Sequence, residues 1–304
     1  KFILARLWFI VPMLFFGSYF FQKRKNRLIF IWLFIVASVI VILYTLIHHS
    51  FYGFGEKEGH WVMSPFFKDH TIYGAIVALI LPLAVGLYVY KKHDPLLQLT
   101  LISLITIILI GLVLSYTRAA WLSVLASVGI AFLLYYKISW KPLAAIAVLG
   151  IGGVLYKWDN IQMELERNKY EHTTEAFDER LQSAANISTD ASNLERINRW
   201  SCAMEMFKQR PIVGYGPGTY AFEYAPFQRP ENLTIISTNF GDMGNAHSEY
   251  LSALSETGVP GLLFFLAFVI FVFYKAITLY YSTPIIEPKK RIFIMAIIIS
   301  LSTY

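Results

Sequence analysis

Charged residues and cysteine are both scarce in this 304-residue sequence. Only 15% of the residues are Asp, Glu, Lys or Arg, whereas 56% are hydrophobic, which makes the chain far more apolar than a soluble domain. The single cysteine, Cys202, excludes an internal disulfide and any zinc or iron–sulfur site built from several cysteines. Most of the apolar residues lie in runs long enough to cross a bilayer core, which takes about 20 helical residues. The sequence therefore predicts an all-α polytopic membrane protein.

Eight apolar runs predict about eight transmembrane helices. The sixth run is short and rich in glycine, so the pattern does not fix its ends. The chain begins with Lys1 and stops at Tyr304 inside an apolar run, and we therefore expect it to be a fragment that lacks spans at one or both ends. The predicted spans are Phe2–Phe21, Leu28–Ile47, Ile72–Tyr90, Leu96–Tyr116, Ala119–Tyr136, Pro142–Tyr156, Leu262–Tyr281 and Ile292 onward.

Basic residues cluster in every second short loop between these spans. By the positive-inside rule, such loops face the cytoplasm. The net charge of +6 is then largely a signal of orientation. No nucleic-acid partner is expected, because the basic residues do not alternate with aromatic residues on a polar domain. The basic residues concerned are Lys23, Arg24, Lys25, Arg27, Lys91, Lys92, Lys137, Lys141, Lys275, Lys289, Lys290 and Arg291.

The alternation of loops places three polar segments on the other, non-cytoplasmic side: residues 48–71, 115–118 and 157–246. The third is much too long for a connector, and long loops are usually functional. We therefore divide the chain into three parts. Residues 1–156 hold six transmembrane helices, residues 157–246 form one large periplasmic loop, and residues 247–304 hold an amphipathic helix and the last two spans.

Two helices are predicted inside the large loop. The first is a charged amphipathic helix over Met163–Ala185. The second covers Glu195–Gln209, where Trp200, Met204 and Phe207 recur at helical spacing. The large loop is therefore predicted to be helical.

The turn-rich segment Pro211–Tyr220 contains Gly214, Gly216 and Gly218, which resemble a phosphate-binding loop. No predicted strand precedes these glycines, and no lysine followed by serine or threonine comes after them. We therefore predict a structural turn here.

Four histidines and an aspartate lie in the first non-cytoplasmic loop or at its end. Metal binding is one interpretation, but their spacing fits no known ligand pattern, and no metal site is predicted. Asp69 is expected to be solvated or to cap a helix, although the segment around it could line a cavity. The residues are His48, His49, His60, Asp69 and His70.

Three arginines on the non-cytoplasmic side are candidates for binding an anion. Arg118 lies where one predicted span ends and the next begins. It either snorkels to the headgroups or faces inward, where charge is costly and tends to mark substrate sites. Arg196 and Arg199 begin the helix that contains Trp200, and surface salt bridges are the alternative for both. A guanidinium suits phosphate oxygens because it donates two parallel hydrogen bonds.

His247 ends the large loop and precedes a short amphipathic helix that is predicted to break at Gly258, Pro260 and Gly261. Imidazole titrates near neutral pH, so this side chain is a natural general base for a hydroxyl group. The alternative is a histidine that caps the helix or lies at the membrane interface.

Four segments, in this order, resemble the O-antigen ligase and polymerase superfamily. The resemblance covers about residues 64–273. The last segment is the most specific and follows an H-(N/S)-x-x-L-x-x-L-x-E-x-G-x-x-G pattern, whereas the first has Thr71 where asparagine is usual. The segments are P-F-F-K-D-H-T-I-Y-G-A from Pro65, L-S-Y-T-R-A-A-W from Leu114, R-I-N-R-W-S-C-A-M-E-M-F-K-Q-R-P-I-V-G-Y-G-P-G-T-Y from Arg196, and N-A-H-S-E-Y-L-S-A-L-S-E-T-G-V-P-G-L-L from Asn245.

This resemblance implies a multi-pass glycosyltransferase, embedded in the lipid of the bacterial inner membrane, with its active site facing the periplasm. Such enzymes take a glycan from undecaprenyl diphosphate and need no metal, nucleotide sugar or other cofactor. The acceptor hydroxyl lies on lipid A-core in ligases, on another lipid-linked repeat in polymerases, and on protein in related O-oligosaccharyltransferases. Ligation to lipid A-core is favoured, because the H-S-E-Y-L block is closest to the ligase pattern.

A non-catalytic lipid or glycan transporter is the competing class. A transporter should place its sites near the bilayer midplane and often shows repeats with broken helices. The candidate residues here lie at one interface instead, and the sequence has no evident repeat. This favours an enzyme.

The resemblance also implies roles for individual residues. Arg118 and Arg196 would bind the diphosphate, whose growing negative charge needs fixed cations, and His247 would deprotonate the acceptor. Arg196 is preferred to Arg199 because it occupies the family's arginine four residues before tryptophan. Attack opposite the leaving diphosphate would invert the anomeric carbon. Residues that could line the substrate are Asp69, His70, Tyr215, Tyr220 and Glu256, the last of which is also expected to shape the helix break.

Overall fold

The computed structural model describes residues 2–90, 94–139, 191–230 and 245–303, with isolated positions between 141 and 157 and at 233 and 237. Every regular element in these residues is helical, which confirms the all-α prediction. The predicted helix over Met163–Ala185 lies outside the described residues, as does much of the sixth predicted span. The elements are α1 (Phe2–Val11), a π-helical segment (Pro12–Gly17), α2 (Ser18–Phe20), α3 (Arg24–Ser50), α4 (Glu56–Gly59), α5 (His70–Tyr90), α6 (Pro95–Val113), α7 (Arg118–Tyr135), α8 (Ala191–Gln209), α9 (Tyr220–Glu223), a 3-10 turn (Ala225–Phe227), α10 (Glu249–Ser282) and α11 (Pro288–Ser302).

Five helices in the described part of the chain are long and apolar enough to cross a membrane, namely α3, α5, α6, α7 and α10. They correspond to the second, third, fourth, fifth and seventh predicted spans. The first predicted span is helical but contains the π-helical segment, and the last corresponds to α11, which has 15 residues. The protein is thus a multi-pass membrane protein, while the number eight stays a prediction.

The chain separates into two compact units. One, which we name the bundle unit, consists of Ala5–Ser139 and Phe273–Tyr304. The other, the loop unit, consists of Trp140–Val272 together with Lys1–Leu4. The predicted division into three functional parts stays a prediction.

Helix α5 is the centre of the bundle unit. It packs against α3, α6, α7 and α11, and it is more deeply buried than the other four long apolar helices. Apolar side chains cover all its faces, as expected of a helix with neighbours on every side. Its buried side chains include Tyr73, Val77, Leu81, Ala84 and Leu87.

Small residues bring α5 and α11 close together. A Cβ atom placed on Gly86 would lie 2.6 Å from the Cβ of Ala296, and the hydroxyl of Ser300 donates to the carbonyl of Leu79 at 2.7 Å. Small residues and serine hydroxyls are the usual means by which helices associate tightly within a bilayer. The sequence of α5 thus fixes the position of α11.

Contacts between the two loops that are predicted to be non-cytoplasmic show that they share one end of the bundle unit. The hydroxyl of Tyr116 donates to the carbonyl of Phe54 at 2.7 Å. The hydroxyl of Thr117 donates to the carbonyl of His70 at 2.8 Å. The loop over residues 48–71 therefore packs on the turn over residues 115–118, as the alternation of basic loops predicts.

The basic segments share the opposite end of this unit. The guanidinium of Arg24 donates to the hydroxyl of Tyr90. The hydroxyl of Tyr281 donates to the carbonyl of Leu134 at 3.0 Å. The start of α11 links these two pairs, since the ring of Phe293 lies 4.8 Å from that of Tyr90 and the guanidinium carbon of Arg291 lies 4.6 Å from the ring centre of Tyr280. The basic segments therefore lie together at this end.

Replacement of Gly86 by alanine should destabilise the protein, because the new methyl group overlaps Ala296. Overpacking of this kind costs about 1–3 kcal/mol. Thermal denaturation of the purified protein in detergent measures the effect. The double variant G86A/A296G should recover stability, and the control G129A should change little, since nothing lies within 4 Å of a Cβ at Gly129. Equal losses in G86A and G129A would contradict the proposed packing.

Candidate functional site

His247 has an exposed side chain and an uncommon backbone. Its φ is 47°, in the left-handed region that non-glycine residues rarely adopt. The side chain of Asn245 accepts a hydrogen bond from the His247 N–H at 3.2 Å. Ser248 then caps α10, since its hydroxyl accepts from the N–H of Leu251 at 3.3 Å. Backbone strain of this kind concentrates at functional sites, and here it places an exposed imidazole just before the start of a helix.

The residue before His247 anchors it to the rest of the loop unit. Ala246 is fully buried and belongs to a core that also contains Cys202 and Met206 of α8. Leu251, in the first turns of α10, packs against the same core. The fold therefore attaches the His247 turn to the helix that carries Arg196 and Arg199.

The predicted helix break lies at Gly258, which has a φ of 68° inside α10. A Cβ atom there would lie 2.3 Å from the carbonyl oxygen of Ile212. The N–H of Val259 donates to the carbonyl of Pro211 at 2.9 Å. Glycine is needed at this position both for its positive φ and for the close approach of the segment that follows α8. The predicted break is confirmed at Gly258.

Glu256 binds the glycine turn, which we define as residues 214–218, and the residues that follow it. Its carboxylate accepts from the N–H of Gly218 at 2.7 Å and from the N–H of Tyr220 at 3.1 Å. Its carbonyl accepts from the N–H of Gly216 at 2.8 Å. The carboxylate of Glu256 is thus already hydrogen-bonded to these amide groups. The structural turn is the better interpretation, because a phosphate would need the same donors.

Tyr215 and Tyr220 both have structural contacts. Tyr220 is only 2% exposed, and its hydroxyl donates to the carbonyl of Arg199 at 2.7 Å. Burial raises the pKa of Tyr220 above its ordinary value. The expectation that Tyr220 lines the substrate is therefore wrong, since its ring lies in the core. Tyr215 is half-buried, its hydroxyl donates to Gln209 at 2.6 Å, and Arg210 covers its ring at 4.4 Å.

Arg199 is a buried arginine with protein partners. It is 4% exposed, and its Nε lies 2.6 Å from a carboxylate oxygen of Glu195. Its guanidinium carbon lies 4.3 Å from the ring centre of Tyr224. Arg196, one turn earlier, is only half-buried. Arg199 thus forms a salt bridge, as the alternative interpretation predicted, but this salt bridge is buried and does not lie on the surface.

The apolar residues predicted at helical spacing on α8, namely Trp200, Met204 and Phe207, lie largely on its solvent-exposed side. Trp200 is 40% exposed and Met204 is 38% exposed. Arg196, Trp200 and Met204 follow each other at intervals of four residues and so share one face. A groove of about 360 Å³ runs along this helix, lined by Ile197, Trp200, Ser201, Met204, Glu205, Lys208 and Arg229.

Cys202 faces inward on the same helix. It is fully buried, and burial raises the pKa of its thiol from 9.0 to about 12. A thiol is nucleophilic only as the thiolate. Cys202 is therefore a core residue and does not supply a nucleophile near neutral pH.

Asp69, His70 and Arg118 are brought together in the bundle unit. The carboxylate of Asp69 caps α5 by accepting from the N–H groups of Thr71 at 2.9 Å and Ile72 at 3.0 Å, so helix capping is confirmed. His70 accepts a hydrogen bond from Thr117 through its carbonyl. Arg118, the next residue, begins α7 and is half-buried.

The other histidines of this end have protein partners. Nδ1 of His48 donates to the carbonyl of Val62 at 2.9 Å, and Nε2 of His49 donates to the carbonyl of Gly55 at 2.7 Å. The ring of His60 stacks on that of His70 at 4.1 Å, and burial lowers the pKa of His60. The described residues contain no group of three histidine, cysteine or acidic side chains arranged for a metal.

Two of these arrangements were not predicted from the sequence. The pairing of Glu195 with Arg199 had a signal, since a spacing of four residues on a helix brings opposite charges together. The binding of the glycine turn by Glu256 had none, because its partners lie 36 and 38 residues away in the chain.

Replacement of Glu256 by glutamine should loosen the glycine turn. Hydrogen bonds to charged groups contribute about 1.5–3 kcal/mol each, so the free energy of unfolding should fall by about that amount. Limited proteolysis should also cut residues 211–220 faster. The control E205Q removes an exposed carboxylate that pairs with Lys208 at 2.8 Å and should cost less than about 1 kcal/mol. If both variants unfold alike, Glu256 does not stabilise the turn.

Arg199 and Arg196 should differ in their effect on stability. The variant R199Q leaves Glu195 buried without its cation, which costs about 3–5 kcal/mol. The variant R196Q changes a half-buried side chain and should leave the unfolding temperature nearly unchanged. Thermal unfolding of the two purified variants tests this. A fall of equal size in both would show that Arg196 is also structural.

A family model described as O-antigen ligase matches residues 101–266, which is more than half of the chain. The matched stretch contains Arg118, α8, the glycine turn and His247. No curated protein and no solved structure matches the chain. The family model supports a membrane glycosyltransferase of the ligase or polymerase type, and the five long apolar helices agree with a membrane protein. The chain belongs to the O-antigen ligase family.

Proposed function

We propose that this protein transfers a glycan from undecaprenyl diphosphate to a hydroxyl group of lipid A-core at the periplasmic face of the inner membrane. Membership of the O-antigen ligase family supports a membrane glycosyltransferase. The observation that carries the proposal is the presentation of His247, whose exposed side chain sits on a left-handed backbone between a buried anchor and a capped helix.

His247 is the general base in this proposal. Its imidazole takes the proton of the acceptor hydroxyl while the hydroxyl oxygen forms a bond to the anomeric carbon. The bond from that carbon to the diphosphate oxygen breaks, and the diphosphate leaves on its lipid carrier. Because attack and departure occur on opposite faces of the sugar, the anomeric configuration is inverted. The mechanism uses no metal or other cofactor.

Arg118 and Arg196 stabilise the leaving diphosphate. Fixed cations aimed at developing charge are usually the largest single contribution to such catalysis. Arg199 is less suited to this role, since Glu195 already balances its charge within the core. We assign Arg199 instead to holding α8 in place, so that Arg196 is directed outward from the same helix.

The groove along α8 is proposed to take a sugar of the donor or acceptor. Ligand sites combine apolar and aromatic surface with a few polar groups that fix orientation. The exposed ring of Trp200 supplies the aromatic surface. The polar groups are those of Glu205, Lys208 and Arg229. A sugar has a matching apolar face and polar edge.

A polymerase or a protein O-oligosaccharyltransferase would use the same donor chemistry. The acceptor is assigned to lipid A-core because the H-S-E-Y-L block at His247–Leu251 is closest to the ligase pattern. A non-catalytic transporter is disfavoured by the family match. The product of the transfer reaction identifies the acceptor, since a polymerase lengthens the lipid-linked glycan and a ligase moves it to lipid A-core.

The variant H247N tests the catalytic proposal. Asparagine adopts the left-handed backbone more readily than most residues, so the fold should be kept. Loss of a general base lowers rates about 10²–10⁴-fold, and transfer from purified lipid-linked donor to lipid A-core should fall by that factor. Binding of the donor, measured separately, should be unchanged, whereas R118Q and R196Q should weaken it.

The variant K137N is a matched control for H247N. Lys137 also has a positive φ, of 53°, and is exposed, but it has no proposed role in transfer. Its replacement should leave the transfer rate unchanged. Full activity of H247N would overturn the assignment of the base, and undiminished donor binding in both arginine variants would overturn the diphosphate site.

A further inference from the structure

A groove of about 480 Å³ opens on the bundle unit beside the first turns of α3. It lies at the end of the unit where the basic segments come together, which is the end opposite Arg118. Its lining residues are Arg24, Lys25, Leu28, Ile29 and Trp32 of α3, and Tyr90 at the end of α5.

The groove changes from cationic to apolar along the helix axis. Arg24, Leu28 and Trp32 are spaced by four residues and so lie on one face of α3. With a rise of about 1.5 Å per residue, Trp32 lies about 12 Å deeper than Arg24. A ligand that fits this gradient carries an anionic group at one end and an apolar chain at the other.

The cationic end of the groove has excess positive charge. The first turn of α3 contains no acidic residue, and a helix N-terminus already carries partial positive charge. In the part of the chain that the structure describes, no ion pair includes Arg24 or Lys25. Arg27 is directed elsewhere, since it donates to the carbonyls of Phe21 and Gln22. A bound anion would reduce the repulsion between the positive charges of Arg24, Lys25 and the helix N-terminus.

Tyr90 holds Arg24 in place. The guanidinium donates to the phenol oxygen, and its carbon lies 5.3 Å from the centre of the ring. This contact joins the start of α3 to the end of α5, so the two helices form opposite borders of the groove. A positioned guanidinium binds phosphate oxygens with less loss of entropy than a free one.

We propose that this groove binds one anionic phospholipid, with its phosphate at Arg24 and Lys25 and its upper acyl chain against Leu28, Ile29 and Trp32. Basic pockets between membrane helices on the cytoplasmic side are known to suit anionic headgroups, and tryptophan and tyrosine prefer the membrane interface. The inference is independent of the proposed catalytic function, because none of these residues belongs to the transfer site.

Native mass spectrometry of the purified full chain in detergent tests the site, with phosphatidylglycerol and phosphatidylcholine as probes. The wild-type protein should retain phosphatidylglycerol in preference to phosphatidylcholine. Each basic residue near an anionic lipid contributes about a fivefold gain in affinity, so R24Q/K25Q should bind phosphatidylglycerol about 25-fold more weakly. The charge-conserving variant R24K/K25R should retain most of the binding.

The variant K289Q/K290Q is the matched control. It also removes two positive charges from the first turn of a helix in the same unit, where Lys290 pairs with Glu287 at 3.0 Å, but neither residue lines the groove. Its affinity for phosphatidylglycerol should equal that of the wild type. A loss as large as that of R24Q/K25Q would overturn the site in favour of general charge attraction.

Two further results would also overturn the proposal. One is unchanged binding of phosphatidylglycerol by R24Q/K25Q with a normal unfolding temperature. The other is displacement of the lipid by inorganic phosphate at equal concentration, which would show a phosphate site without an acyl-chain contribution. Transfer activity is expected to remain in R24Q/K25Q, so failure of this proposal is distinguishable from failure of the catalytic one.

Discussion

The backbone contact at the break in α10 is the constraint on which the loop unit depends. Gly258 lets the N–H of Val259 reach the carbonyl of Pro211. The carboxylate of Glu256 accepts hydrogen bonds from the N–H groups of Gly218 and Tyr220. These bonds join the segment after α8 to the helix after His247. Ala246 is buried in the core that also contains Cys202 and Met206 of α8. Helix α8 and the His247 turn therefore form one packed body. Any movement of α8 therefore moves Arg196 and the imidazole together.

Burial distinguishes Arg199 from the two arginines that are proposed to bind the diphosphate. Arg199 has its carboxylate and its aromatic ring within the core, where an unpaired charge would be very costly. Arg196 and Arg118 are half-buried, which suits the proposed role, because a partly desolvated charge interacts with an anion more strongly than a fully exposed one. Residue type alone does not make this distinction, because Arg196 and Arg199 lie three positions apart on one helix.

The sequence predicts what depends on length and periodicity. The predicted span Ile72–Tyr90 corresponds to α5 at His70–Tyr90, and the break at Gly258 follows from the glycine and proline that interrupt an apolar helix. The sequence does not predict which face of α8 is buried. The spacing of Trp200 and Met204 indicates an apolar stripe but does not identify what packs against it. The burial of Tyr220 and the contacts of Glu256 depend on chain segments that meet only in the folded protein.

The strained backbone at His247 is the strongest structural reason to treat that residue as functional. A non-glycine residue in the left-handed region costs on the order of 1 kcal/mol, and glycine would relieve that cost. The fold instead keeps a histidine there, fixes its N–H with Asn245 and buries the residue before it. These contacts fix the backbone on both sides of the imidazole, which is exposed. The backbone and the buried neighbour thus fix where the exposed side chain lies, and this supports its proposed role as a base for an incoming hydroxyl.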